Sequence, residues 1–342
     1  MKTAVTVGYW QSGPPAGAGE LFERADELGV DQVWTAEAYG SDAWTPLAWW
    51  GSRTTRVQLG TSVSQLAARP PVTLAMTAMT MDHLTTGRIL VGIGVSNPQV
   101  TEGWYGQRFA RPLERTREYF DIVRKVIARE EPLTYDGRQF SLPLRDASGL
   151  GKPLKSILHP YRTSIPLYLG AEGPKNIALA AEIADGWNVI FFSPAMSSFY
   201  AGALAEGFAR PGARHTESTF DVVGGPMAII PDDDIEAAAD WIRPSLALYI
   251  GGMGARGLNF HNEVFVRMGY EGVSKTIQDA YLAGDKRAAV AAVPTRMVED
   301  VALIGPWSKI AEEIPRWKDT VLTTFSINTG PQHLERVLEL LA

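Results

Sequence analysis

Short apolar runs and amphipathic stretches alternate along the whole chain. Residues 4–10 (AVTVGYW) read as a strand, and residues 18–30 (AGELFERADELGV) repeat their apolar positions at helical spacing and stop at Gly29. The cycle then recurs. Strand-like runs fall at 31–39, 56–66, 88–95, 166–172, 185–192, 220–230 and 321–327, and helical patterns lie between them. One such helix opens at Pro70-Pro71, where a missing amide proton costs nothing. Residues 132–165 are irregular, with a hairpin expected to turn at Asp136-Gly137, and residues 233–294 read as a mostly helical insertion.

Eight apolar strands, each followed by a helix, call for parallel pairing with the crossover helices outside. The expected fold class is therefore α/β, a (β/α)8 TIM barrel with insertions before strand five and after strand seven. A doubly wound open sheet is the alternative, and a count of eight units argues against it. No linker rich in Pro, Gly or Ser divides the chain, so residues 1–342 are expected to form a single domain.

Composition narrows the function. The 342 residues carry 38 acids against 32 bases, a net charge of -6, which argues against nucleic-acid binding. With no cysteine, thiolate catalysis, disulfides and cysteine metal sites are excluded. The five histidines (His83, His159, His215, His261, His333) are scattered, so no metal is expected. The chain enters its first strand with no leader-like segment, and its longest uncharged stretch, 186–205, is too polar to span a bilayer. A cytoplasmic protein with no membrane partner is the expectation.

In a barrel, the working groups belong on the loops at the carboxyl ends of the strands. After strand five, AEGPKN (171–176) places Gly173 and Lys175 beside a helix expected to begin at Pro174, which suits a phosphate. The same residues could be ordinary strand-to-helix punctuation. After strand four, VGIGVSNP (91–98) fails the dinucleotide fingerprint, because Asn97 replaces the third glycine and no helix is expected before about Pro112. Glu37, at the end of strand two, is the candidate catalytic carboxylate; the alternative is an exposed rim acid. Trp10, Tyr39, Trp104 and Tyr105 could stack on a ring. The glycine-dense 248–263 segment carries His261 as a candidate substrate-contacting group and reads as a lid or a turn. No nucleophile-elbow sequence supports serine catalysis.

Taken in order, VWTAEAYGSDAWTPLA, RVQLGTSV, DHLTTGRILVGIGVSNPQVTEGWYG, RPLERTREY, YLGAEGPKNIALAAEIADGW and GGMGARGLNFHNE resemble the luciferase-like monooxygenase superfamily. Within it, the chain most resembles the coenzyme F420-dependent oxidoreductases, including the methylene-tetrahydromethanopterin reductase branch, over nearly its full length. The resemblance implies a barrel that holds a deazaflavin at the strands' carboxyl ends, with a homodimer as the common assembly. It implies a non-prolyl cis peptide in strand three, here Ser62–Val63 beside Thr61, bulging against the ring. It places the cofactor along Gly94, Val95, Ser96, Asn97 and Gln99 after strand four. The opening after strand five, Gly170, Ala171, Glu172, Gly173, Lys175 and Asn176, would hold its phosphate-bearing tail.

The implied reaction is hydride transfer at the deazaflavin C5 to or from a small organic substrate, with Trp10, Tyr39 and His261 facing that substrate. The alternative within the superfamily is an FMN-dependent monooxygenase. A third reading, from outside catalysis, is a barrel that only binds a ligand. Sugar-phosphate dehydrogenases of the family carry Asp-His where this chain has Glu37-Ala38, and an acid near Asn97. The proton-handling residue is therefore open, and Glu37 is the expected ring-proximal carboxylate.

Overall fold

The computed structural model describes every residue except Tyr9, Gln11 and Asp146. Eight parallel strands close into a barrel: Lys2–Val7, Gln32–Thr35, Gln58–Thr61, Ile89–Gly94, Leu167–Gly170, Gly186–Asn188, Asp221–Gly224 and Thr324–Ile327. The first strand pairs with both the second and the eighth, and closure continues where Leu59 and Gly60 of the third face Ile89 and Leu90 of the fourth. Helices such as Pro71–Leu84, Pro112–Ala128 and Pro174–Ile183 wrap the outside, as the alternating pattern requires.

Two strand readings change. The run 220–230 is not one strand: it leaves the barrel after Gly224, and Ile229–Pro231 pairs in parallel with Leu303–Gly305 in a separate small sheet. The break falls at Gly225-Pro226. A Cβ on Gly225 would meet the Ser326 backbone at 2.4 Å, and proline donates no ladder bond. The run 56–66 breaks at the cis Ser62–Val63 bond, after which Ser64–Gln65 pairs with Ile93 and Gly94.

The barrel interior is layered. At the amino-terminal end, the Asp221 carboxylate accepts from Gln32 Nε2 (3.0 Å), Tyr168 Oη (2.8 Å), Thr323 Oγ1 (2.7 Å) and Thr324 Oγ1 (2.6 Å). Above it lies an apolar layer of Ala4, Trp34, Leu90, Tyr168 and Val223. Residues 89, 91 and 93 face the outer core beneath the helices, so the inward positions of strand four are Leu90, Gly92 and Gly94.

The insertion has its own core. Ile242, Ile250, Phe265, Ile277 and Met297 pack with Phe191, which the loop after strand six supplies. Its helices include Ile235–Ala247, Phe260–Arg267 and Glu271–Leu282. The hairpin before strand five is present as Tyr135–Asp136 and Ser141–Leu142. Among the described residues, no helix is long and apolar enough to cross a membrane, and no cluster of three metal-ligating side chains occurs.

Candidate active site

The carboxyl ends of strands two to six converge on the Ser62–Val63 bond, which is cis as the resemblance implies. Ser62 N donates to Thr35 O (2.6 Å), and Glu37 N donates to Val63 O (3.4 Å), so strand two holds the bulge on both sides. The Val63 side chain lies where two glycines leave room for it. A Cβ on Gly94 would come within 2.4 Å of Val63 Cγ2, and one on Gly170 within 2.7 Å of Cγ1. Carbon contacts settle near 3.5–4.0 Å, so any larger residue at either position displaces the bulge. Gly94 and Gly170 thus serve to seat Val63.

Glu37 is buried, and protein donors take up its carboxylate. Oε1 accepts from Gln65 N (2.7 Å), Arg69 Nη1 (2.5 Å) and Ser64 Oγ (3.3 Å), and Oε2 accepts from Ala43 N (3.1 Å). Arg69 also pairs with Asp42 through Nη2 and reaches Ser64 Oγ at 3.1 Å. Burial by itself would lower the Arg69 guanidinium, but the Glu37 bond and the Glu37 and Asp42 charges more than reverse this. Burial would raise the Asp42 carboxyl; Thr45 and Arg69 outweigh that and hold it below its usual range. Burial and then the Glu37 charge raise the Tyr105 phenol, which donates to Ala38 O (3.3 Å).

The Glu37 carboxylate is thus satisfied within the protein. Four donors, one of them a guanidinium, surround that carboxylate. They tie it to the segment after the bulge, an arrangement that sequence alone does not reveal. Its partner Arg69 went unnoticed in the sequence. Its signal was a basic residue directly ahead of Pro70-Pro71.

The loop after strand four also departs from expectation. Helix Pro98–Gly103 begins directly after it, well before Pro112, because the Asn97 side chain caps it by accepting from Val100 N (3.0 Å). Asn97 Nδ2 donates to Met253 O (3.0 Å), and Tyr39 Oη approaches Met253 Sδ (3.5 Å). The 248–263 segment therefore reaches the barrel rim as more than a turn between helices. Val95 and Ser96 are half-buried beside the bulge, whereas Gln99 is exposed.

After strand five, helix Pro174–Ile183 opens at Gly173, as the sequence suggests. Lys175 is exposed, and the buried Asn176 Oδ1 has no partner. Ala171 O accepts from Trp187 Nε1 (2.8 Å). Glu172 Oε1 lies 2.8 Å from His261 Nδ1, and Glu172 O accepts from Arg267 Nη2 (3.0 Å), so one helix of the insertion grips this loop twice. His261 also stands edge-on to Tyr249 and Phe191. Trp10 is half-buried against Trp50, with ring centroids 5.7 Å apart, and its amide donates to Ser41 Oγ (2.9 Å). Thr61 Oγ1 donates to Gly92 O (2.8 Å), tying strand three to strand four just below the bulge.

The fold and these loops define a (β/α)8 barrel with a braced strand-three bulge, and the comparisons agree. The sequence profile of the luciferase-like monooxygenase family matches residues 2–324, and the chain belongs to that family. It is 51% identical, over 96% of its length and 95% of the other, to a Mycobacterium tuberculosis protein provisionally described as a coenzyme F420-dependent oxidoreductase. It is 26% identical to the 5,10-methylenetetrahydromethanopterin reductase of Archaeoglobus fulgidus, over 85% of this chain and 82% of that one. Among solved structures, the coenzyme F420 dependent tetrahydromethanopterin reductase from Methanopyrus kandleri superposes with a TM-score of 0.79 at 20% identity, covering 99% of this chain and 96% of that one. An F420-dependent secondary alcohol dehydrogenase in complex with an F420–acetone adduct gives 0.76 at 18% identity, with both chains fully covered. At those identities, the two structures speak for the fold.

Proposed function

We propose that this chain is a coenzyme F420-dependent oxidoreductase acting on a small organic substrate. The observation that carries the reading is the Ser62–Val63 bulge, seated by Gly94 and Gly170 and braced by Glu37, level with a helix opening that carries Lys175. That arrangement suits a flat tricyclic ring on the bulge and a phosphate-bearing tail at Gly173, Lys175 and Asn176. The buried, partnerless atoms support the fit: Asn176 Oδ1 at the tail end, and Gln65 Oε1 and both amide atoms of Asn188 near the bulge. The similarity to the mycobacterial oxidoreductase over nearly the whole chain points the same way.

When bound, the deazaflavin would supply the carbon that gives or takes a hydride. The protein's part is to fix the ring against Val63 and to hold the substrate on its open face. Val95 and Ser96 would flank the ring, with Trp10 and Tyr39 toward the substrate. We take His261 as the proton-handling group, with Glu172 Oε1 2.8 Å from its Nδ1. With a carboxylate facing Nδ1, that nitrogen carries the hydrogen and Nε2 is left as the base. The proposed assembly is a homodimer, with the 68%-exposed Trp49 as a candidate contact.

Fluorescence titration with F420 and, separately, with FMN tests the reading. Tight F420 binding with weak FMN binding is expected. Preference for FMN would make the protein an oxygen-activating member of the family, and binding of neither would leave a ligand-binding barrel.

A further inference from the structure

Asn188 ends the sixth barrel strand with 5% of its surface exposed, and neither Nδ2 nor Oδ1 has a hydrogen-bond partner. Its side chain points into the barrel: a Cβ on inward-facing Gly92 would lie 2.8 Å from Asn188 Nδ2 and 1.9 Å from Thr61 O. In the strand register, Gly94 is level with Gly170, and Gly170 with Asn188. Asn188 is therefore in register with the two glycines that seat Val63, and its amide lies against Gly92, the inward position next below Gly94. The hydroxyls of Thr6 and Ser326, on strands one and eight, satisfy each other at 3.1 Å, whereas Asn188 is satisfied by nothing in the protein. A buried carboxamide without partners disfavours the free protein, so its presence calls for a ligand or a role.

We infer that Asn188 reads the polar edge of a ring bound at the bulge, donating from Nδ2 and accepting at Oδ1. The matching chemistry is an imide or lactam edge, an N–H beside a C=O. The pyrimidinedione of a deazaflavin presents that edge, and a flavin presents the same one. This rests on the proposed function, and it assigns to strand six a contact that the bulge and the tail site do not provide. Gly92 belongs to the same device, because any side chain there would push the amide away.

The test uses Asn188→Leu, which keeps the volume without polar atoms, and Asn188→Ser, which shortens the side chain and leaves room. Each variant and the wild type are titrated with F420 and with FMN by fluorescence, and their unliganded thermal midpoints are measured. Affinity for the preferred cofactor should fall roughly ten- to hundredfold in both variants, the effect of losing a paired donor and acceptor. The unliganded midpoint should hold, or rise for Asn188→Leu. An affinity within twofold of wild type in Asn188→Ser would overturn the inference. So would midpoints lowered by several degrees in both variants, which would make the amide a structural group. A wild-type protein that binds neither cofactor overturns the functional reading itself, a result distinct from equal binding by wild type and variants.

Discussion

Glutamine at position 37 would keep the size of the glutamate and remove its charge. Four donors converge on that carboxylate, and a carboxamide serves them badly: with its oxygen toward Gln65 N and Arg69, its NH2 faces the Ala43 amide, donor against donor. Breaking a buried ion pair costs about 3–5 kcal/mol. Arg69 keeps Asp42 as a partner and its side chain is 18% exposed, so the lower end, about 3 kcal/mol, applies. Unfolding entropy near 2.1 cal/mol/K per residue gives a 342-residue chain about 0.7 kcal/mol/K, hence a drop of about 4 °C in the thermal midpoint. Calorimetry at pH 7 reads this, and F420 affinity should weaken as the bulge loosens. A midpoint within about 1 °C of wild type, together with lost turnover and a lost limb in its pH profile, would refute the reasoning. It would return Glu37 to the proton-handling role.

Gly94→Ala should weaken cofactor binding through Val63 and lower stability by about 1–3 kcal/mol, read by denaturant titration. Unchanged affinity would mean that the bulge shifts without consequence. Lys175→Ala should weaken F420 binding with a shallower salt dependence while leaving the midpoint unchanged, because the side chain is exposed; unchanged affinity would count against the tail site. Burial would raise the Asp185 carboxyl, but Arg124, the Leu167 amide, His215 and Arg214 outweigh it and hold it below 3.8. The unfolded chain then binds the extra proton, so this stabilisation is complete above about pH 4 and is lost as pH falls through the folded value. Asp185→Asn should flatten the acid limb of the stability curve; an unchanged limb would assign it to other carboxylates, Asp221 first.

Much of this protein was legible along the chain. Apolar runs and period-3.6 patterns located all eight barrel strands and the helices at Pro71, Pro112 and Pro174, because strands buried on both faces are predominantly apolar. Ends and breaks were less legible. The run 220–230 looks continuous because apolar residues flank Gly224-Gly225-Pro226 on both sides. It divides at Gly225-Pro226, where a side chain on Gly225 would meet the Ser326 backbone, a hundred residues away, and proline donates no ladder bond. The Pro98–Gly103 helix was missed because Asn97 was weighed as a failed glycine and not as a cap.

Sequence by itself determined the barrel and the loops that can bind, the strand-three and strand-five segments among them. These follow from local periodicity and from turn chemistry carried by neighbouring residues. Only the tertiary structure decided what individual polar groups do. Glu37 meets Arg69, thirty-two positions on, only because the chain folds back onto it. Asn188 stands unpartnered where the barrel brings up Gly92, which has no side chain to meet its amide. Hydrogen-bond satisfaction depends on distances between groups far apart in the chain, and no pattern along the chain encodes those distances.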